Sequence, residues 1–172
     1  MALDSFPSNP KLLINCGNIF KILGNSSRAE DYYKKSLDYF ESKEAYNNLS
    51  VIYIESNKNE EAIDMARKAI EIDPGYEDAF YNLSLAQHRQ EDFNNAIKNA
   101  EICLNMNTNH DKCMLLRYRI SQDICDWKSL EHYEEKIDSY IGNGEEPSKS
   151  LLPSQTRLKP EQSFVTATLR KS

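Results

Sequence analysis

Residues 43–76, KEAYNNLSVIYIESNKNEEAIDMARKAIEIDPGY, decide the fold of this chain. The stretch carries two apolar stripes at helical spacing, Tyr46, Leu49 and Tyr53 on the first and Ala62, Ala66, Ala69 and Ile70 on the second. Asp73-Pro74-Gly75 closes it, because a proline cannot continue a helix. The same arrangement recurs on either side. Gly17, Ser50 and Ser84 align at intervals of 33 and 34, as do Ala29, Ala62 and Ala96, and Ser36, Ala69 and Cys103. Large residues keep step with them: Leu13, Tyr46 and Phe80, then Cys16, Leu49 and Leu83. Small residues at set points let two helices approach closely, and the larger ones fill the space that remains.

A period near 34 with small residues at fixed points resembles the tetratricopeptide repeat, a helix–turn–helix unit. The resemblance implies an all-α fold, a right-handed solenoid of three repeats plus a C-terminal capping helical segment. The expected boundaries are a lead-in over 1–9, repeats over 10–42, 43–76 and 77–110, a degenerate fourth repeat with capping helices over 111–141, and a flexible linker or tail over 142–172. Asn9-Pro10 starts the first helix and Gly24-Asn25 breaks it; the second runs from about Ser27 to Phe40. Repeat three departs from the pattern at Gln87, where an aromatic is usual, and at Thr108, where the closing proline is missing. In the fourth unit Met114 keeps step, but Arg117-Tyr118 replaces the Leu-Ser pair. Leu130, Tyr133 and Ile137 then form one face of an amphipathic segment, with Trp127 expected to hold this cap against repeat three.

Bulk properties exclude several classes. The chain has 172 residues, enough for one repeat array but not for a full catalytic domain beside it. Its net charge of −6 argues against generic nucleic-acid binding. No stretch is apolar enough to span a bilayer, and the start lacks the order of a secretory signal. Cys16, Cys103, Cys113 and Cys125 are scattered, which suggests free thiols and a reducing, cytoplasmic setting. His88, His110 and His132 share no spacing with a Cys or carboxylate pair, so no metal or other cofactor is expected. No phosphate loop, nucleophile elbow or other catalytic constellation is legible.

The candidate site is a binding groove. Counting each repeat from its first residue, position six is Asn15, Asn48 and Asn82. A primary amide offers two donors and an acceptor, and so pairs with both the N–H and the C=O of an extended peptide. Spaced one repeat apart, such amides grip a peptide backbone while largely ignoring its side chains. The chain is rich in Asn, with 16 in all, so coincidence competes with this reading. Asn18, Asn47, Tyr81 and Arg89 complete the expected peptide-binding set, beside Lys21, Glu55 and His88. The expected partner is therefore a protein or extended peptide, with no nucleic acid and no membrane; self-association through a repeat face is a further option. A carboxylate clamp for acidic chain ends is disfavoured, because its places hold Ile14, Asp78 and Asn82, with only Asn18 and Asn48 fitting.

Two features together carry a closer resemblance: the position-six asparagines, and Ile124-Cys125-Asp126-Trp127 followed by Tyr133-Glu134-Glu135. This is similar to the O-linked N-acetylglucosamine transferases and their Spindly-type bacterial relatives, in which an asparagine ladder lines the repeats and a Cys-Asp-Trp motif marks the exit towards the catalytic domain. Leu151-Leu152-Pro153 and Glu161-Gln162-Ser163-Phe164 look like that family's linker. Leu116 at position six of the fourth unit ends the ladder at three. The resemblance implies the substrate-recognition part of a UDP-sugar-dependent protein glycosyltransferase. It brings no catalytic or donor-binding residue into these positions.

Overall fold

The computed structural model describes residues 9–142 of the chain, with side chains as far as residue 136. The expectations for residues 1–8 and 143–172, and for the side chain of Ile137, lie outside the described residues. The chain divides after Ile137, and everything below concerns the first unit; beyond it only the end of the last helix is described.

Eight helices follow one another: α1 (Pro10–Ile22), α2 (Ser26–Leu37), α3 (Lys43–Glu55), α4 (Asn59–Ile72), α5 (Glu77–Arg89), α6 (Phe93–Met106), α7 (Asp111–Asp123) and α8 (Trp127–Gly142). There is no strand among the described residues. Odd-numbered helices are the first members of successive pairs and even-numbered helices the second. From α1 to α7 each packs on its neighbours in sequence, and α3 also meets α5, as α5 meets α7. The all-α solenoid expected from the period is present.

The turn inside each pair repeats to the residue. Gly24, Asn57, Glu91 and Cys125 have φ of 74°, 58°, 61° and 56° and stand 33, 34 and 34 apart. The next N–H in each case reaches back five residues: Asn25 to Phe20, Lys58 to Tyr53, Asp92 to Gln87 and Asp126 to Ser121, at 2.8–3.0 Å. This is the hydrogen bond that closes a helix through a left-handed residue. The residue after the turn opens the next helix: side chains of Asn25, Asp92 and Asp126 accept from the backbone N–H of Arg28, Asn95 and Ser129. Lys58 stands at that place in the second pair and makes no such bond.

Close approach decides the small residues. Ala29, Ala62 and Ala96 are fully buried, as are Ser50 and Ser84. Gly17 occupies the place of those two serines, and a Cβ there would lie 2.5 Å from the Tyr33 ring. Tyr33 in turn stands where α4 and α6 carry Ala66 and Ala100, so bulk lost on one helix is regained on its neighbour.

Several local expectations change. The second helix starts at Ser26 under the Asn25 cap and stops at Leu37, leaving Tyr39 and Phe40 exposed. Gln87 is buried despite its polarity, because the Asn99 amide donates to it at 2.7 Å. The proline missing at Thr108 is replaced by a side-chain turn: Asn107 accepts from Asn109 N–H at 3.1 Å, as Asp73 accepts from Gly75 N–H at 2.9 Å. Trp127 does not hold a cap, since it is 63% exposed; Leu130 is the buried residue among the described side chains of α8. The real fastening is Arg117, buried at a position where Leu49 and Leu83 stand in earlier repeats. Its guanidinium donates to Ser121 Oγ and, at 3.2 Å, to Ser129 Oγ at the start of α8. It lies 3.7 Å from Asp126 and stacks over the Tyr133 ring. Tyr118 adds a bond to Glu134 at 3.0 Å. The Arg117-Tyr118 departure is thus the α7–α8 fastener.

Candidate functional site

The structure separates the five asparagines of the expected peptide-binding set into three groups. Asn15, on α1, stands exposed. Asn18 and Asn48 are half-buried and paired across α1 and α3, the Asn48 amide donating to Asn18 Oδ1 at 3.1 Å. That same oxygen accepts from the Tyr33 hydroxyl at 2.7 Å, which anchors it. Asn47 and Asn82 form a second pair, across α3 and α5, at 2.7 Å. Asn82 does not stand open to a ligand as position six implies: it is only 5% exposed, and Asn47 is buried with it. The cause is packing, because the close approach of α3 and α5 leaves an amide between them room only for another amide.

Tyr81 is half-buried and faces the His110 ring, with centroids 5.5 Å apart; burial raises its phenol above the usual range. Arg89 is exposed but employed, donating to the Ile54 carbonyl and, at 3.2 Å, to Asn57 Oδ1. It therefore caps the C-terminal end of α3, where unpaired carbonyls collect. Among its expected neighbours, His88 pairs with Asp123 at 2.6 Å across α5 and α7. Helices α1, α3, α5 and α7 are thus joined by polar bridges from each to the next.

His110 performs two opposed tasks. Its Nδ1 accepts from Cys113 N–H at 3.1 Å, capping α7, and this needs a free lone pair. Its Nε2 lies 3.3 Å from Asp78, whose carboxylate, with contact from the Cys103 thiol, raises the imidazole pKa towards about 10. Asp78 is in turn held below its ordinary value by that bond. Sequence spacing did not reveal this pairing, because Asp78 and His110 lie on helices a full repeat apart. Among the described residues no group of three or more His, Cys, Asp or Glu is arranged to hold a metal ion, and no helix is long and apolar enough to cross a membrane.

The Cys-Asp-Trp stretch takes the roles of a repeat turn. Cys125 is the left-handed residue, Asp126 the cap of α8, and Trp127 the first, exposed residue of that helix.

Comparison with known proteins identifies the class. A family model described as "Tetratricopeptide repeat" matches residues 10–42, and one described as "TPR repeat" matches residues 51–91. The chain carries tetratricopeptide repeats, folded as an all-α solenoid. Over 75 residues it is 29% identical to the human protein O-mannosyl-transferase TMTC1, a match covering 44% of this chain but only 8% of that protein. Among solved structures it resembles MamA, with a TM-score of 0.69 and 22% identity, covering 81% of this chain and 86% of that one. The first repeat domain of Spaghetti (RPAP3), bound to the HSP90 peptide SRMEEVD, gives a TM-score of 0.65 at 21% identity over 67% of this chain and 93% of that one. The Thermobaculum terrenum O-GlcNAc transferase gives 0.63 at 18% identity, covering 65% of this chain and 22% of that one. Identities this low establish a common fold.

Proposed function

We propose that this solenoid is a non-catalytic protein-interaction module that binds an extended peptide along helices α1, α3 and α5. The observation that carries the reading is the bridged amide pair Asn18–Asn48, fixed by the Tyr33 hydroxyl and bordered by the exposed Asn15. An amide held in one orientation meets a peptide backbone without first losing side-chain freedom. Asn15, Asn18 and Asn48 supply the contacts, with Tyr81 as an apolar wall beyond them. Asn47 and Asn82 form the floor that fixes α3 against α5, and Arg89 holds the end of α3. The chain itself is not an enzyme in this reading and needs no cofactor.

The test is binding to an array of extended peptides by the parent and by Asn15→Ala/Asn48→Ala. The variant gives up the Asn48–Asn18 bridge and should lose about 1 kcal/mol of stability while remaining folded. Affinity for the selected peptides should fall about tenfold, the loss of roughly one charged-free hydrogen-bonding rung. Equal affinity for both proteins would remove the asparagines from the site.

A second reading is favoured by the Cys-Asp-Trp stretch together with the likeness to two glycosyltransferases: this piece presents protein substrates to a UDP-sugar-dependent catalytic domain elsewhere in a longer polypeptide. The intact mass of the native product decides it. A mass well above 19.9 kDa supports this reading, and a sugar-donor assay on the longer product follows.

A further inference from the structure

Helix α1 differs from every later odd-numbered helix in what covers it. Positions three, seven and ten of a repeat are Ala45, Leu49 and Ile52 in α3, Ala79, Leu83 and Ala86 in α5, and Cys113, Arg117 and Ile120 in α7; all nine are buried. Their cover comes from packing on α2, α4 and α6, the helices that precede them. In α1 the same positions hold Leu12, Cys16 and Ile19, and Leu23 continues the row. Leu12 is 40% exposed, Ile19 57% and Leu23 70%, with Ile22 at 85% beside them. The 4-3-4 spacing of residues 12, 16, 19 and 23 gathers them into one uncharged seam.

Two observations fix what fits this seam. Position three is small wherever a preceding helix lies on it, as Ala45, Ala79 and Cys113 show, whereas Leu12 would hold such a helix away. Helix α8, the last helix described, offers no match either. Helix α8 carries Glu131 and Glu134 in the register where α4 has Ile63 and Ala66 and α6 has Ile97 and Ala100. End-to-end stacking would press those carboxylates against leucine and isoleucine.

A seam of leucine and isoleucine without charge suits a helix of the same kind at coiled-coil distance, and the row is its own complement. Run antiparallel, two such helices set Leu12 against Leu23 of the second copy, and Cys16 against Ile19. Lys11 and Lys21 lie off the seam. We propose that the exposed face of α1 is a dimer surface, on which α1 of a second copy of this chain packs antiparallel about a two-fold axis. Such a contact is isologous and stops at two. It is also small beside the about 800 Å² per partner of standard interfaces, so the dimer belongs to the upper micromolar range.

Sedimentation of the full chain from micromolar to millimolar concentration tests this. The weight-average mass should rise from 19.9 kDa and level off at twice that value, while Ile19→Glu stays at the monomer mass with an unchanged helical spectrum. A chain that remains monomeric at millimolar concentration overturns the proposal. So does growth past twofold, which means stacking, or an Ile19→Glu protein that dimerises like the parent, which means another surface. Orientation is read in a Cys16→Ser/Cys125→Ser background. Oxidation should cross-link a mixture of Leu12→Cys and Leu23→Cys proteins and leave Leu12→Cys alone uncross-linked; the reverse result rejects the antiparallel arrangement.

Discussion

Repeats two and four share one backbone frame and are held by different chemistry. In repeat two, Leu49 and Ile52 on α3 and Ala62 and Ala66 on α4 belong to one apolar cluster. In repeat four the residue in step with Leu49 is Arg117, and the fastening passes through hydroxyls, a carboxylate and an aromatic face. Even the helix caps differ: Ser42 opens α3 and His110 opens α7. The difference teaches that the repeat specifies geometry at its turns and close contacts, whereas the filling between helices is free to be apolar or polar; the polar filling leaves one buried atom, Arg117 Nε, without a hydrogen bond.

The largest expected effect breaks the polar fastening. Arg117→Ala removes a buried side chain together with its bonds to Ser121 and Ser129, and should cost about 2–4 kcal/mol. Arg117→Leu, which installs the residue of repeat two, should recover part of the packing without the tie to Ser129. Amide exchange should show α8 losing protection before α3 and α4 in either variant. Uniform loss along the chain would mean that Arg117 supports the whole array instead of its last helix.

The turns sharpen the comparison from the other side. Cys125 holds a left-handed conformation that Gly24 adopts without cost, so Cys125→Gly should stabilise repeat four by about 1 kcal/mol. Asn57 at the same place in repeat two tolerates that conformation, and Asn57→Gly should gain less. Thermal melts of the two variants provide the check; equal gains would show that left-handed strain does not separate the repeats. Repeat two has its own defect in Lys58, which stands where Asn25, Asp92 and Asp126 cap their helices. Lys58→Asn should raise stability by about 0.5–1 kcal/mol in denaturant titration. No gain would indicate that Glu60 and Glu61 in the first turn already satisfy that helix end.

Much of this was legible in the residues. The period, the small residues at close contacts and the all-α solenoid follow from intervals of 33 and 34. The degenerate fourth repeat was readable from Met114, and its turn keeps the same step, Asp126 with Asn25 and Asp92, and Cys125 with Gly24, Asn57 and Glu91. The burial of Asn82 was not readable. Position six faces outward on an isolated helix, and only the docking of α5 on α3 sets it against Asn47. Arg117 was equally opaque, because Ser129 and Tyr133 come from a helix whose angle the sequence does not state. Apolar packing leaves a period in the sequence, while a polar contact between helices leaves only its two ends.

His110 allows the finest distinction between the two repeats. His110→Ser places the cap of repeat two on α7 and removes the Asp78 pair while keeping an acceptor for Cys113 N–H. The ordinary imidazole pKa is 6.5, and in the fold it is raised to about 10, first by Asp78. A raised pKa contributes stability that is fully present below 6.5 and is lost as pH climbs through 10. The parent should therefore out-melt the variant near pH 6, and its margin should shrink steadily towards pH 10. Asp78 is about half exposed, so salt should narrow the margin as well. A margin that does not change with pH would show that the lone pair capping α7 prevails over the Asp78 charge. In that case His110 is a neutral cap, equivalent to Ser42 in repeat two, and the repeats differ at this position only in the size of the side chain.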